Sequence, residues 1–153
     1  ALDLLGRKVM LTQGALLKNF TKIVHRFCKE NADNAALSEF IEPLNRLNKE
    51  WGEVTTQIGM RAMANQDEIG AAAVDYLMYS GYITYGYFWA VMAKTASEKM
   101  AESGSDDGFY KAKMQTARFY YQRILPRTAS LVQTLNASLD SLLEMEEENF
   151  GFY

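Results

Sequence analysis

The stretch from Leu37 to Ile58, LSEFIEPLNRLNKEWGEVTTQI, decides the fold. Its apolar residues Leu37, Phe40, Leu44, Leu47, Trp51, Val54 and Ile58 recur every three or four positions, so a helical coil brings all of them to one side. A strand would scatter them over both faces of a sheet. The spacing predicts a helix from near Ala36, with Pro43 in its early part, where a missing backbone donor costs little.

The same periodicity continues outward. Upstream it predicts a first helix from near Leu2 to about Glu30, with Leu16, Phe20, Ile23, Val24 and Phe27 on one stripe and Lys18, Lys22 and Arg26 opposite; Asn31 to Asn34 ends it. Downstream, Asn65-Gln66-Asp67-Glu68 breaks the second helix and caps a third, because a side-chain oxygen accepts from free amides and the acids suit the positive helix end. That helix reaches about Glu102, and the turn formers Ser103 to Gly108 mark a loop. Tyr110, Met114, Ala117, Tyr121 and Ile124 then form a fourth stripe, Pro126 interrupts it, and Leu131, Leu135, Leu139 and Leu142 resume it after a kink or restart. The expectation is an all-α fold, one domain over residues 1–153, built as an antiparallel bundle of four to five helices.

Length and charge narrow the function. A chain of 153 residues is long enough to bury one substantial core. With 16 Lys+Arg against 19 Asp+Glu the net charge is -3, which gives no excess to hold nucleic acid through its phosphates. Cys28 is the only cysteine, so no internal disulfide forms, and a reducing, cytoplasmic address is expected. The stretch from Ile69 to Ala93 carries one charge, Asp75, but its tyrosines are spread along its length rather than gathered at two interfaces. It reads as a central buried helix and not as a membrane span.

Four segments carry a resemblance. They are Ala1-Leu-Asp-Leu-Leu-Gly-Arg-Lys8; Asp67-Glu-Ile-Gly-Ala-Ala-Ala-Val-Asp-Tyr-Leu77; Gly81 with Trp89-Ala90 and Met92-Ala93; and Lys113 with Thr116-Ala-Arg-Phe-Tyr120 and Leu125-Pro126. In order and spacing they resemble the C-terminal extension of bacterial FAD-dependent acyl-CoA dehydrogenases, on the branch that includes methylmercaptopropionyl-CoA dehydrogenase. The opening octapeptide is similar to the run that follows that family's catalytic segment, so the first helix is expected to continue from a catalytic domain. The resemblance implies a parent flavoprotein that removes hydrogens from the α and β carbons of an acyl-CoA, passing a hydride to FAD and electrons to an electron-transfer flavoprotein. It implies that the catalytic glutamate and the FAD site lie in the parent, that this domain packs on the main helical domain, and that the piece alone is inactive. No catalytic, cofactor-binding or metal residue is assigned within residues 1–153.

The residues themselves agree with that abstention. A dinuclear centre in a bundle needs paired Glu-x-x-His motifs, yet His25 is the sole histidine and Lys22 stands where the glutamate belongs. His25 reads as a boundary residue with one nitrogen satisfied. Glu39 and Glu42 share a face, and Glu42 with Arg46 reads as a surface pair. Cys28 reads as a small buried apolar side chain. Gly104 and Gly108 lack the spacing of a phosphate cradle. The row Tyr76, Tyr79, Tyr82 and Tyr85 drifts around its helix and reads as packing on several neighbours rather than as a ligand slot. Asp75, whose neighbours Val74 and Leu77 suggest burial, is expected to be shielded and paired with Arg118 or Lys113. Trp51 and Trp89 are both expected inside the bundle.

The run Glu144 to Glu148 reads as a solvated tail, with Phe150, Phe152 and Tyr153 as its apolar end. Leu2, Leu5 and Val9 extend the first stripe past what the bundle covers, which predicts attachment to the parent or a homodimer. The competing class is a free-standing helical adaptor for another protein or a membrane surface; an adaptor has no reason to begin inside the opening helix. A small metalloenzyme is disfavoured by its ligand count.

Overall fold

The computed structural model of the chain describes residues 1–103 and 108–151. The expected loop from Ser103 to Gly108 falls largely on residues 104–107, and Phe152 and Tyr153 also lie outside the described residues. Among the described residues six α-helices form: α1 (Ala15–Glu30), α2 (Ser38–Ala64), α3 (Asp67–Ser103), α4 (Gly108–Phe119), α5 (Thr128–Leu135) and α6 (Asp140–Leu143). No strand occurs among the described residues, so the all-α expectation holds. The helix count exceeds the four to five expected because the run after Pro126 divides into α5 and the short α6.

α2 follows its sequence pattern closely. Leu37, Phe40, Leu44, Leu47, Trp51, Val54 and Ile58 are all buried. The helix starts at Ser38, two residues after the expected start near Ala36, so Pro43 lies within its first two turns, where it leaves the Glu39 carbonyl without its intrahelical donor. At its far end Asn65 turns extended, and its Oδ1 accepts from the Asp67 amide at 3.0 Å, starting α3 as the Asn-Gln-Asp-Glu cluster predicts.

The N-terminal expectation needs correction. The chain does not run as one helix from Leu2 to Glu30; it winds as a π-helix over Asp3–Met10, turns, and restarts at Ala15. Gln13 and Gly14 adopt positive φ angles of 51° and 76°, and only the glycine does so without Cβ strain. This turn re-aims the first segment onto α3. Leu5 and Val9 are therefore buried in the bundle's own core, and of the stripe expected to be left over only Leu2 is exposed. On α1 the buried line is Val24 and Cys28, with Phe20 and Phe27 half-buried, while Leu16 and Ile23 face out.

α3 is the axis of the molecule. Its 37 residues reach about 55 Å. Contacts climb α2 as they descend α3: Glu50 meets Tyr79, Trp51 meets Tyr76 and Arg61 meets Glu68. The chain after α4 runs antiparallel to α3 in turn, with Tyr120 bonded to the Tyr82 carbonyl and Thr134 to Asp75. Gly86 makes a close approach possible, since a Cβ there would stand 3.4 Å from Leu125 Cδ1 and 3.8 Å from the Tyr121 hydroxyl, which donates to the Gly86 carbonyl at 2.9 Å. Around Pro126 the fourth helix passes through a π turn, Tyr120–Ile124, and a 3-10 turn, Leu125–Arg127, before restarting as α5. Leu142, expected on the last stripe, is exposed, and Ile124 is half-buried beside a fully covered Leu125. No helix among the described residues is long and apolar enough to cross a membrane.

Candidate functional site

The interior is held by a small set of hydroxyl bonds. Trp51 Nε1 donates to the Tyr76 hydroxyl at 3.1 Å, and the Thr55 hydroxyl lies 2.7 Å from the same oxygen. One turn along α3, the Tyr79 hydroxyl donates to Glu50 Oε1 at 2.7 Å. Burial raises the pKa of Tyr76, opposed by its bonds to Thr55 and Trp51. Burial raises Tyr79 as well, reinforced by the Glu50 carboxylate. Tyr120 and Tyr121 are raised by the same desolvation, and burial pushes the Cys28 thiol up to about 11. These groups stay protonated at neutral pH, so they join helices and do not trade protons.

The side chains weighed in the sequence do not converge. His25 is exposed on α1, not at a core boundary, and Cys28 is buried as expected. Glu39 rather than Glu42 finds a partner: Arg118 Nε bonds its carboxylate at 2.9 Å across to α4, and Glu42 and Arg46 form no ion pair among the described residues. Asp75 is a second correction. It is only partly covered, and it accepts from the Thr134 hydroxyl at 2.6 Å; Arg118 is occupied by Glu39, and Lys113 lies over the Phe109 ring. The Val74 and Leu77 side chains that suggested burial are themselves exposed. Trp89 is half-buried, unlike Trp51 at 4% exposure. The tyrosine row behaves as packing: Tyr76 and Tyr79 are fully covered, Tyr82 partly, and Tyr85 is 64% exposed. Glu144 to Glu148 are exposed, as is Phe150. No cluster of metal-ligating side chains occurs among the described residues.

What the structure does assemble is apolar surface. A groove of about 450 Å³ opens between the π-helical segment, the start of α1 and the middle of α3, with Leu4, Leu16, Phe20, Leu77 and Tyr85 among its walls. Trp51, Tyr76 and Ser80 also line it. The Ser80 hydroxyl lies near that of Tyr76 but makes no hydrogen bond of good geometry. Lys8 is the cation of the lining and is paired with Asp3 at 3.4 Å. A second opening of about 770 Å³ lies between the turn at Gln13-Gly14 and the outer side of α2, against Gly52, Thr56, Gly59 and Met63. Alongside the first groove, α3 exposes Val74, Leu77, Met78, Tyr85 and Phe88.

The profile of a family described as acetyl-CoA dehydrogenase C-terminal like matches residues 20–146. The chain belongs to that family. Butyryl-CoA dehydrogenase of Syntrophomonas wolfei is 26% identical over 153 residues, covering 98% of this chain and 25% of the relative. The 3-methylmercaptopropionyl-CoA dehydrogenase of Ruegeria pomeroyi is 28% identical over 144 residues, covering 92% of this chain and 24% of the relative. The chain thus spans about a quarter of the length of the curated relatives it matches.

Proposed function

We propose that this chain is the non-catalytic C-terminal domain of an FAD-dependent acyl-CoA dehydrogenase, packed against the main helical domain of that enzyme. The match of residues 20–146 to a C-terminal-like family carries the reading. The relatives' names, both acyl-CoA dehydrogenases, support dehydrogenation of an acyl-CoA as the parent's reaction; in this reading it acts at the α and β carbons, passes electrons to an electron-transfer flavoprotein and takes place in the cytoplasm. The first segment, from Ala1, is the continuation of the catalytic domain in this reading.

The interior supports it. Buried Tyr76, Tyr79 and Cys28 are raised in pKa and so stay neutral, and Glu50 and Glu39 are held by Tyr79 and Arg118. A base that removes an α proton needs the opposite: a carboxylate free to meet substrate. The groove does not fit FAD, because its cation, Lys8, is held by Asp3 while two phosphates need donors. In this reading the flavin is held by the rest of the polypeptide.

The test compares the 153-residue chain with the intact polypeptide containing it. Flavin absorbance and bleaching by acyl-CoA are expected from the intact protein alone. A stoichiometric flavin on the chain by itself, or an intact protein without one, overturns the reading.

A further inference from the structure

From Tyr76 to Ala93 helix α3 carries no charge and sets apolar residues on every side, which is the composition of a helix enclosed by others. The described bundle leaves one side open. Val74, Met78, Gly81, Tyr85, Phe88 and Met92 succeed one another at steps of four, three, four, three and four residues, and they fall on that open side. Val74, Met78, Tyr85 and Phe88 are 63%, 45%, 64% and 49% exposed, and Gly81 and Met92 are partly covered. The spacing is that of the seam by which two helices pack side by side.

We propose that this seam is the docking face for an apolar helix from the rest of the acyl-CoA dehydrogenase polypeptide. The proposal rests on the reading of the chain as that enzyme's C-terminal domain. Four observations select the occupant. The alternation of four and three fits a helix and not a strand or an irregular loop, and it runs about 27 Å from Val74 to Met92. Gly81 stands mid-seam with nothing within 4 Å of the place its Cβ would take, which lets a second backbone come close. No charged residue occurs from Tyr76 to Ala93, and Asp75 beside Val74 is taken up by the Thr134 hydroxyl, so the partner is apolar and the seam offers little of the flanking charge by which matched copies of one helix select each other. About three-quarters of each relative lies outside the match, which supplies a partner at high effective concentration on the same chain. The groove beside the seam, reached past Leu77 and Tyr85, gives that helix a recess for its side chains.

The methionines provide the test. Met78 is on the seam, and Met63, at 90% exposure on α2, is off it. Oxidation by hydrogen peroxide, followed residue by residue by mass spectrometry, is compared between the dilute 153-residue chain and the intact holoenzyme. Met78 should slow at least tenfold relative to Met63 in the holoenzyme. The Tyr85→Glu variant should leave the melting of the chain alone unchanged, while lowering that of the holoenzyme and restoring Met78 oxidation. If Met78 oxidises equally fast in both while the holoenzyme still binds flavin and oxidises acyl-CoA, the seam is not the docking face although the domain reading stands. Protection of Met78 that grows with the concentration of the chain alone assigns the seam to a second copy and overturns the proposal. An intact polypeptide without flavin fails the domain reading instead, and absorbance shows that independently.

Discussion

Helices α2 and α3 are both long, both central and both rich in apolar residues, yet only one of them is covered by the bundle it builds. From Leu37 to Ile58 α2 keeps its large apolar side chains to one buried stripe, and only Met60 and Met63 at its far end are exposed. α3 spreads them around its circumference, and the same neighbours cover Tyr76, Tyr79 and Ile83 while leaving Tyr85 and Phe88 in solvent. A stripe specifies its own inside. A helix without one has its inside chosen by its neighbours, and whatever they fail to cover marks what is missing.

The largest test of this contrast pairs the tryptophans. Trp51→Ala removes a covered side chain and its bond to Tyr76, and should cost about 3 to 5 kcal/mol in chemical unfolding. Trp89→Ala on α3 should cost less than half as much, because one side of the ring already meets water. Equal costs would break the distinction.

Alkaline titration probes the covered side. A pKa raised in the folded state gives stability that is complete below the unfolded value and lost as pH rises toward the folded one. For Cys28 the window runs from 9 to about 11. Its loss is on the order of 3 kcal/mol across that window, and the buried tyrosines deepen it above pH 10. Unfolding against pH should steepen from pH 9, and Cys28→Ala should remove the first part of the slope.

Tyr76→Phe tests the joint between the two helices. It strands Trp51 Nε1 and leaves Thr55 only its bond to the Trp51 carbonyl, at a cost of about 1 to 3 kcal/mol by thermal or chemical melting. The smallest effect belongs to the open side: Tyr85→Ala should change the chain's own stability by less than about 0.5 kcal/mol. A larger loss would mean that Tyr85 already packs within the bundle.

The same contrast explains what could be read in advance. The α2 register and the start of α3 were legible because stripe and cap are local signals. The break at Gln13-Gly14 was not, since its one cue was a glycine inside an otherwise unbroken helical pattern, and the path it sets decides that Leu5 and Val9 turn inward. Asp75 was misjudged from its sequence neighbours Val74 and Leu77, which point elsewhere around the helix, and its partner Thr134 lies 59 positions away. For the candidate site, the tyrosines stepping by three run from covered Tyr76 to exposed Tyr85, while the alternation of fours and threes from Val74 to Met92 is the pattern that matches exposure.

The turns flanking Pro126 carry a consequence of their own. A π turn rotates the chain less per residue than an α-helix, and a 3-10 turn rotates it more. Here the first, Tyr120–Ile124, is followed at once by the second, Leu125–Arg127, so under-winding and over-winding offset each other. Tyr121, Leu125, Thr128 and Leu135 consequently stay on one inward line through a proline that would otherwise throw it off. The pair behaves as a screw thread with one coarse and one fine pitch: shortening the loose turn by a single residue, with Pro126 left in place, would rotate all of α5 away from α3.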